Sequence, residues 1–318
     1  MKKILFAVSA LFATFSMAAA DVSIGGYGRF GVDYNEANKK LADKDEINLT
    51  SRLRLQFDMS AQSDAGVVFS ARFRAEANQN DGAAEAASWN GGHFGVSLGA
   101  AKLEFGNISG AIDNLPGLNM PTNSVATGVS GLGFFSELHR VNGIDGYSSS
   151  GTGTNNGVNF KYSMGPLGLQ VSHSGTGADD ERTAAHVSFK VSGFTVAVGA
   201  QSSDSTNAAG LKDENVIIAT LGGDLGFMEA GVGISQNENV GVNGADVDMV
   251  RAYGKVPLGA ATNLLLWGSD EDDNSKGEGG SFGVDIAHDL GGGVTFVAGF
   301  ADNSDGHQQA DAGIYFNF

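Results

Sequence analysis

The chain has 318 residues, a formal net charge of −17 at pH 7 and no cysteine. Disulfides and thiolate metal sites are therefore excluded, and the negative charge argues against nucleic acid as a partner. Glycine is abundant, with 48 residues against 4 prolines. Because the glycines are spread through alternating segments, they favour closely packed strands and tight turns over disorder.

The first twenty residues have the pattern of a secretory signal peptide. Lys2 and Lys3 are followed by an apolar stretch, residues 4–15, and by an Ala-x-Ala site at residues 18–20. We expect cleavage before Asp21, so that residues 21–318 form a single extracytoplasmic domain. A first transmembrane helix is the alternative, but the segment is short and ends in alanines. No run of 18 apolar residues follows, so no membrane-spanning helix is expected.

Alternation between apolar and polar side chains is clearest in residues 47–60 and 67–77, on either side of a turn at residues 63–66. This period of two predicts a hairpin with one apolar and one wet face. An arginine turned toward hydrocarbon would cost about 2–4 kcal/mol near the bilayer midplane, so the arginine-bearing face is assigned to water. Five arginines on the first three predicted strands have this parity: Arg29, Arg52, Arg54, Arg72 and Arg74.

Sixteen strands are predicted between residues 22 and 318, and their connections alternate in length. The short connections are 62–66, 100–101, 165–166, 192–193, 223–225, 257–260 and 289–292. The longer, mostly acidic ones are 35–46, 78–92, 107–156, 175–181, 204–213, 236–245, 271–278 and 302–308. Short turns on one rim and long loops on the other are typical of outer-membrane barrels. The sequence therefore predicts an all-β fold, a transmembrane antiparallel β-barrel of sixteen strands.

The last predicted strand, residues 309–318, has the most regular apolar face of all. Phe318, Phe316 and Ile314 share this face with two alanines. We expect this strand to pair with the first one, because closing a sheet removes its exposed edges. The three large residues are the predicted assembly signal of the barrel. A soluble protein with this segment as a core strand is the alternative.

Four segments together resemble the general-diffusion porins of Gram-negative outer membranes, alphaproteobacterial type. They are residues 21–34, 51–74, 102–107 and 288–318, and the resemblance extends over the whole mature chain. It implies a homotrimer of sixteen-stranded barrels, each narrowed by its third loop, about residues 107–156, folded into the lumen. It also suggests calcium bound around that loop, with no cofactor required. Outer-membrane lipid, lipopolysaccharide and the outer-membrane assembly machinery are the expected partners.

The arginines would form one basic wall of such a channel, and a basic wall creates a transverse field when acids face it. The third loop supplies the candidate acids Asp113, Glu137 and Asp145, although an external position for this loop remains an alternative. Six apolar residues of the loop suggest a tighter or more apolar constriction. They are Leu115, Leu118, Met120, Leu132, Phe134 and Phe135.

The leading prediction is a passive, non-enzymatic outer-membrane channel for ions and small hydrophilic solutes. A substrate-specific porin is one alternative, and a non-conducting adhesin or structural barrel is another. His186 and Ser188 share a strand face, which would suit an esterase, but no third orienting group is evident. The acidic loops could bind divalent cations, although they lack the spacing of an EF-hand.

Overall fold

The computed structural model describes residues 21–42, 44–80, 82–120, 138–141, 143–151, 153–154, 156–175, 181–204, 213–240, 244–272 and 279–318. The expected signal peptide and Glu137 lie outside these ranges, as do Leu132, Phe134 and Phe135. Among the described residues, no helix has the length and apolar character needed to cross a bilayer.

The wall of the molecule is built from strands, and one short 3₁₀ helix, Glu36–Lys40, follows the first of them. The strands are β1 (Asp21–Asn35), β2 (Ile47–Gln62), β3 (Val68–Asn80), β4 (Ala83–Ala84), β5 (Ser88–Trp89), β6 (His93–Leu98), β7 (Ala101–Gly106), β8 (Gly157–Met164), β9 (Leu167–Gly175), β10 (Glu181–Val191), β11 (Phe194–Ser203), β12 (Glu214–Asp224), β13 (Glu229–Glu238), β14 (Val247–Pro257), β15 (Thr262–Glu271), β16 (Gly280–Gly291), β17 (Val294–Asp302) and β18 (Gln308–Asn317). Sixteen are long; β4 and β5 have two residues each and pair with β3.

The sheet closes on itself, because β1 pairs antiparallel with both β2 and β18. The closing register sets Phe30 opposite Ile314 and Gly28 opposite Phe316. The predicted sixteen-stranded antiparallel barrel is therefore confirmed, and its last strand closes it. The two short strands in the second long loop were not predicted, since two residues are too few to show a period.

The short connections are tight turns at one rim. Between β10 and β11 the turn consists of Ser192 and Gly193, with φ angles of 49° and 85°. Positive φ at both central residues is the geometry of a two-residue hairpin whose twist matches that of its strands. Glycine adopts this backbone without a side-chain clash, which explains why it recurs at the predicted turns.

Side chains alternate across the wall as the period of two requires. Large apolar residues such as Phe30, Phe160 and Ile234 are exposed on the outer face. A continuous exposed apolar surface of this kind suits hydrocarbon rather than water. The inner face of β1–β3 and β6–β9 carries charged and polar side chains.

The inner face of β10–β14 is different, because it contains an apolar cluster. Side chains from the strands include Ala184, Ala197, Val216, Ile218, Val247 and Met249, and those from the third loop include Ala111, Ile112, Leu115, Leu118, Leu138 and Val141. Met120 packs in a second cluster with Leu265, Trp267 and Ala301. The expectation of an apolar constriction is therefore wrong for Leu115, Leu118 and Met120. These residues are buried against the wall, where removing apolar surface from water is favourable.

Candidate functional site

The predicted arginines lie on adjacent inner-face positions of β1–β3. The register sets Arg29 opposite Arg52, and it sets Arg54 opposite Glu76 and Arg72 opposite Asp58. Residues directly opposite each other on one face of an antiparallel pair are close enough to interact. The hairpin therefore places acidic side chains among the basic ones.

Two carboxylates neutralise part of this arginine wall. Glu76 accepts from Arg54 Nε at 2.5 Å and lies 3.2 Å from Arg52 Nε. Arg72 Nε donates to Asp58 at 2.5 Å. Both carboxylates have the same sequence parity as the arginines, and this parity is the signal that identifies them as counter-charges on the same face. Charge-assisted bonds of this length fix the direction of each guanidinium group.

Aromatic rings and the third loop hold the remaining arginine groups in place. The Arg74 guanidinium lies 4.5 Å from the centre of the Tyr147 ring, and its Nη1 donates to Ser149 at 3.1 Å. Arg54 lies 4.7 Å from the centre of the Tyr27 ring. Arg29 is only 2% exposed, so it is enclosed rather than presented to open space. The β2 and β3 arginines are therefore the more accessible members of the wall.

Each of the two described candidate acids of the third loop, Asp113 and Asp145, makes a contact away from the arginine wall. Asp113 accepts from Ser109 within its own loop segment. Asp145 is 4% exposed and accepts from Ser174 at 2.7 and 2.8 Å, with Arg182 Nη1 at 3.6 Å. The carboxylate of Asp145 is thus directed toward β9 and β10, where it ties the loop to the wall.

Strand side chains also hold three successive carbonyl groups of the third loop. Thr220 donates to the carbonyl of Pro116 at 2.5 Å. Arg251 donates to the carbonyls of Gly117 and Leu118, the latter at 2.5 Å. We call Thr220 and Arg251 the loop clamp. Since both lie on the inner face of the wall, the clamp keeps this part of the loop on the same side of the wall as the arginines.

His186 also forms a hydrogen bond with a carbonyl group of the third loop, and it is not arranged as the base of a Ser–His catalytic pair. Its Nδ1 donates to the carbonyl of Ala111 at 2.5 Å, and its ring is buried. Ser188 lies next to Gly168 on the neighbouring strand. The contact of His186 with a backbone carbonyl explains its burial without any chemistry at Ser188.

A second charged cluster, not predicted from the sequence, lies on β6–β8. Glu104 is 1% exposed; its Oε1 lies 2.7 Å from Lys102 Nζ and 3.4 Å from His93 Nε2. Its Oε2 lies 3.0 Å from Lys161 Nζ and accepts from Asn159 at 2.7 Å. The available signal was the shared parity of Lys102 and Glu104 on one strand. This cluster and the arginines of β3 line one cavity of about 590 Å³.

The last strand is held to the first by backbone and aromatic contacts. Phe318 N donates to Gly26 O at 3.1 Å, and Gly26 N donates to Phe318 O at 3.0 Å. The Phe316 ring lies over Gly28, where a Cβ atom would come within 2.3 Å of it. Ile314 sits opposite Phe30 on the outer face. The glycines of β1 thus leave room for the aromatic side chains of β18.

The described ranges offer no metal centre, since no three His, Cys, Asp or Glu side chains in them are grouped to hold an ion. The two described loop carboxylates are engaged elsewhere, Asp113 with Ser109 and Asp145 with Ser174. These two contacts do not test the calcium ion that the resemblance suggests, which stays a prediction.

Comparison with known proteins agrees with this architecture. The family model for Gram-negative porins matches residues 6–308. Porin from Fuscovulum blasticum is 28% identical over 314 residues, covering 94% of this chain and 100% of that protein. Porin from Rhodobacter capsulatus is 26% identical over 329 residues, with the same coverage. A triple mutant of Rhodopseudomonas blastica porin shares the fold, with a TM-score of 0.76 at 22% identity over 94% of this chain and 100% of its own. The chain therefore belongs to the Gram-negative porin family, and it is an outer-membrane β-barrel channel for passive diffusion.

Proposed function

We propose that ions and small hydrophilic solutes cross this barrel through a water-filled passage between the arginine wall and the third loop. The observation that carries the proposal is the contact of Arg74 with Tyr147 and Ser149, two residues of that loop. The loop therefore touches the arginine wall at Arg74, so a solute that passes beside this contact comes close to fixed positive charge. Charged side chains in a confined space act on ions more strongly than the same charges on an open surface.

The third loop is the constriction in this proposal. This proposal is supported by two sets of contacts between the loop and the inner wall, namely the apolar cluster and the hydrogen bonds of the loop clamp. A loop held to the wall at several of its described residues can narrow the passage without filling it. Asp113 remains our candidate for the acidic side of the transverse field, and Glu137 remains a prediction of the sequence.

The pore works without catalysis and without a cofactor in this proposal. His186 is used to hold a loop carbonyl, and the relatives named above are porins rather than enzymes. Diffusion needs only a hydrated path and weak contacts along it. Chelating divalent cations should therefore leave the conductance unchanged, and a loss of conductance after chelation would show that an ion is needed.

We further propose a homotrimer that contacts outer-membrane lipid and lipopolysaccharide and is inserted by the outer-membrane assembly machinery. Support comes from β6 and β7, which have six residues each and make the wall low beside the second long loop. Trp89 and Phe94 are exposed there, and Trp89 packs near Phe57 and Phe73. Apolar aromatic surface is enriched at protein interfaces. A monomer on unheated gels after mild extraction would contradict the trimer.

The decisive experiment is single-channel recording in a planar bilayer, with the reversal potential measured across a salt gradient. Purified protein should give stepwise conductance, whereas a silent bilayer would favour a structural barrel or adhesin. Liposome swelling with sugars of increasing size then tests specificity. A smooth decline with size supports a general pore, and preference for one sugar supports a substrate-specific channel.

A further inference from the structure

Two lysines lie directly opposite each other on the inner face of neighbouring strands. Lys102 on β7 pairs with Lys161 on β8, while their neighbours Leu103 and Phe160 face outward. Like charges directly opposite each other destabilise a sheet. Glu104 resolves this conflict, because its two oxygens each take one lysine. We call Lys102, Lys161 and Glu104 the lysine pair with its bridging glutamate.

Both carboxylate oxygens of the bridging glutamate have partners in this arrangement, whereas the lysine ammonium groups keep hydrogens that can be donated to a ligand. Glu104 is buried. Its Oε2 also accepts from Asn159, and its Oε1 lies 3.4 Å from His93 Nε2. Each ammonium group has three hydrogens and directs one of them at the glutamate. The lysine side chains remain 39% and 30% exposed. Two positive charges against one negative charge leave a formal surplus of +1, on donors that face the lumen.

The lysines are also held in position before any solute arrives. A Cβ atom at Gly95 would lie 3.0 Å from Cε of Lys102, so the lysine stem runs across a glycine that leaves space for it. The buried carboxylate of Glu104 fixes the positions of both ammonium groups. Ordering the donors in advance lowers the entropy that a ligand must overcome on binding.

A guanidinium group extends the donor surface. Arg72 lines the same cavity as the lysine pair, and its Nε is engaged with Asp58 while the side chain is 39% exposed. Ser109 and Asn114 of the third loop add polar groups to the lining. The cavity of about 590 Å³ has room for an ion of several heavy atoms with part of its hydration.

We propose that the lysine pair, together with Arg72, is a transit site for small oxyanions, namely inorganic phosphate and solutes that carry a phosphate group. An anion with several oxygens can accept from both lysines and the guanidinium at once, which a chloride ion cannot do as well. The surplus of a single charge keeps binding weak, and a channel site must release its ion. This inference rests on the proposed function, because a transit site needs a conducting pore.

The test measures chloride current through single channels while inorganic phosphate is added. In the wild type, phosphate should reduce the chloride current in a saturable way. The double variant Lys102→Gln, Lys161→Gln should raise the half-saturating phosphate concentration about a hundredfold, since it loses two charge-assisted hydrogen bonds and each is worth about a factor of ten. Glu104→Gln should shift it the opposite way, because the surplus positive charge doubles. Lys255→Gln is the matched control, since Lys255 lines a different cavity and its loss should leave the phosphate effect intact.

A second measurement distinguishes failure of the oxyanion site from failure of the proposed pore, and it can be made on variants that insert poorly into bilayers. Inorganic phosphate is titrated calorimetrically into the folded, detergent-purified wild type and into Glu104→Gln. Chloride conductance without saturable phosphate inhibition overturns the oxyanion site and leaves the pore intact. Phosphate binding by a wild type that never conducts supports the site and overturns the pore. Equal phosphate sensitivity in the double lysine variant and in Lys255→Gln also overturns the site.

Discussion

Glu76 lies between Arg52 and Arg54, and Asp58 lies beside Arg72, so the arginine wall carries its own counter-charges. Residue parity predicted that all these side chains share one face of the hairpin. Their pairing follows from the register, which depends on turn length and not on parity alone. Parity therefore groups these residues on one face, but it does not show that two carboxylates lower the net charge of the group.

Removing the positive groups of this wall should shift ion selectivity toward cations. The change is Arg52, Arg54, Arg72 and Arg74 to Gln. It also leaves Glu76 and Asp58 without their charged partners, which adds to the shift. The reversal potential in a salt gradient measures the effect, and outer-membrane insertion should persist because the strands keep their backbone pairing.

A partly charge-compensated version, in which the loss of two acids offsets half of the positive charge removed, separates net charge from side-chain size. It adds Glu76→Gln and Asp58→Asn to the four arginine changes, and its shift should be smaller than that of the quadruple variant. If the quadruple variant inserts and its reversal potential equals that of the wild type at every salt concentration, these arginines do not line the narrowest part of the pore.

Outside the membrane-spanning strands, the carboxyl group of Glu36 forms a contact that depends on its ionisation. The backbone N–H of Gln308 and the ammonium group of Lys39 donate to Glu36, which lowers the pKa of this carboxyl below its ordinary value of 4.5. Because the pKa of Glu36 is lower in the folded protein, its ionised carboxylate stabilises this contact at pH values above its ordinary pKa. The stabilisation is lost as the pH falls through the pKa of the folded state. Hydrogen exchange of the Gln308 amide should therefore accelerate below pH 4.5 beyond the intrinsic trend. Glu36→Gln should remove this pH dependence.

At the scale of elements, the loop clamp makes a direct prediction. Arg251→Gln combined with Thr220→Val removes the donors to three successive carbonyls of the third loop. Hydrogen bonds to a charged donor contribute about 1.5–3 kcal/mol each, enough to let this segment move. Single-channel current should become noisier, while heat-resistance of the barrel on gels stays close to that of the wild type. A quiet current in the double variant would show that the remaining contacts of the loop hold it without the clamp.

The closing strand makes a second prediction at this scale. Phe318→Ala removes an outward aromatic group that packs near Phe316 and over Gly26. We expect the amount of folded protein in the outer membrane to fall severalfold, because this strand completes the barrel and carries the predicted assembly signal. Phe282→Ala, which removes an equally exposed aromatic side chain from β16, is the control. Equal accumulation of both variants would contradict a special role for Phe318.

The strands could be predicted because their signal is local, whereas the loop contacts are not local. A period of two identifies a strand and its wet face within ten residues. It does not say which inner-face residues meet the third loop, so the direction of Asp145 and the partner of Arg251 had to come from the structure. The resemblance to porins, confirmed by the family match, implied a loop inside the lumen but not these residues.

At the scale of the whole molecule, the interior has two unlike halves. The inner face of β10–β14 is a core on which the third loop packs, and β1–β3 with β6–β8 carry the charged side chains that line the open space. This division could have been read from Ala184, Ala197, Val216 and Ile218, which are apolar at inward positions. The hydrophobic effect holds the apolar part of the loop against β10–β14, and in our proposal the passage runs beside the charged strands.

The acidic surface and the basic interior should compete for control of ion preference, and salt concentration should decide between them. The full chain has a net charge of −17, and exposed acids such as Asp45, Asp213 and Asp272 lie in the long loops. Screening at about 0.1 M salt limits their reach to roughly 10 Å, whereas an ion in the proposed passage would come closer than this to the arginines.

Cation preference should therefore be strongest in dilute salt and should fade as salt rises, faster than the contribution of the arginine wall. Reversal potentials across a series of salt concentrations measure this. The variant Asp45→Asn, Asp213→Asn, Asp272→Asn should lose part of the cation preference in dilute salt and match the wild type at high salt. The arginine-to-glutamine variant should differ from the wild type across the whole series. A preference that does not change with salt in any of the three proteins would show that the acids at the mouth do not act on permeating ions.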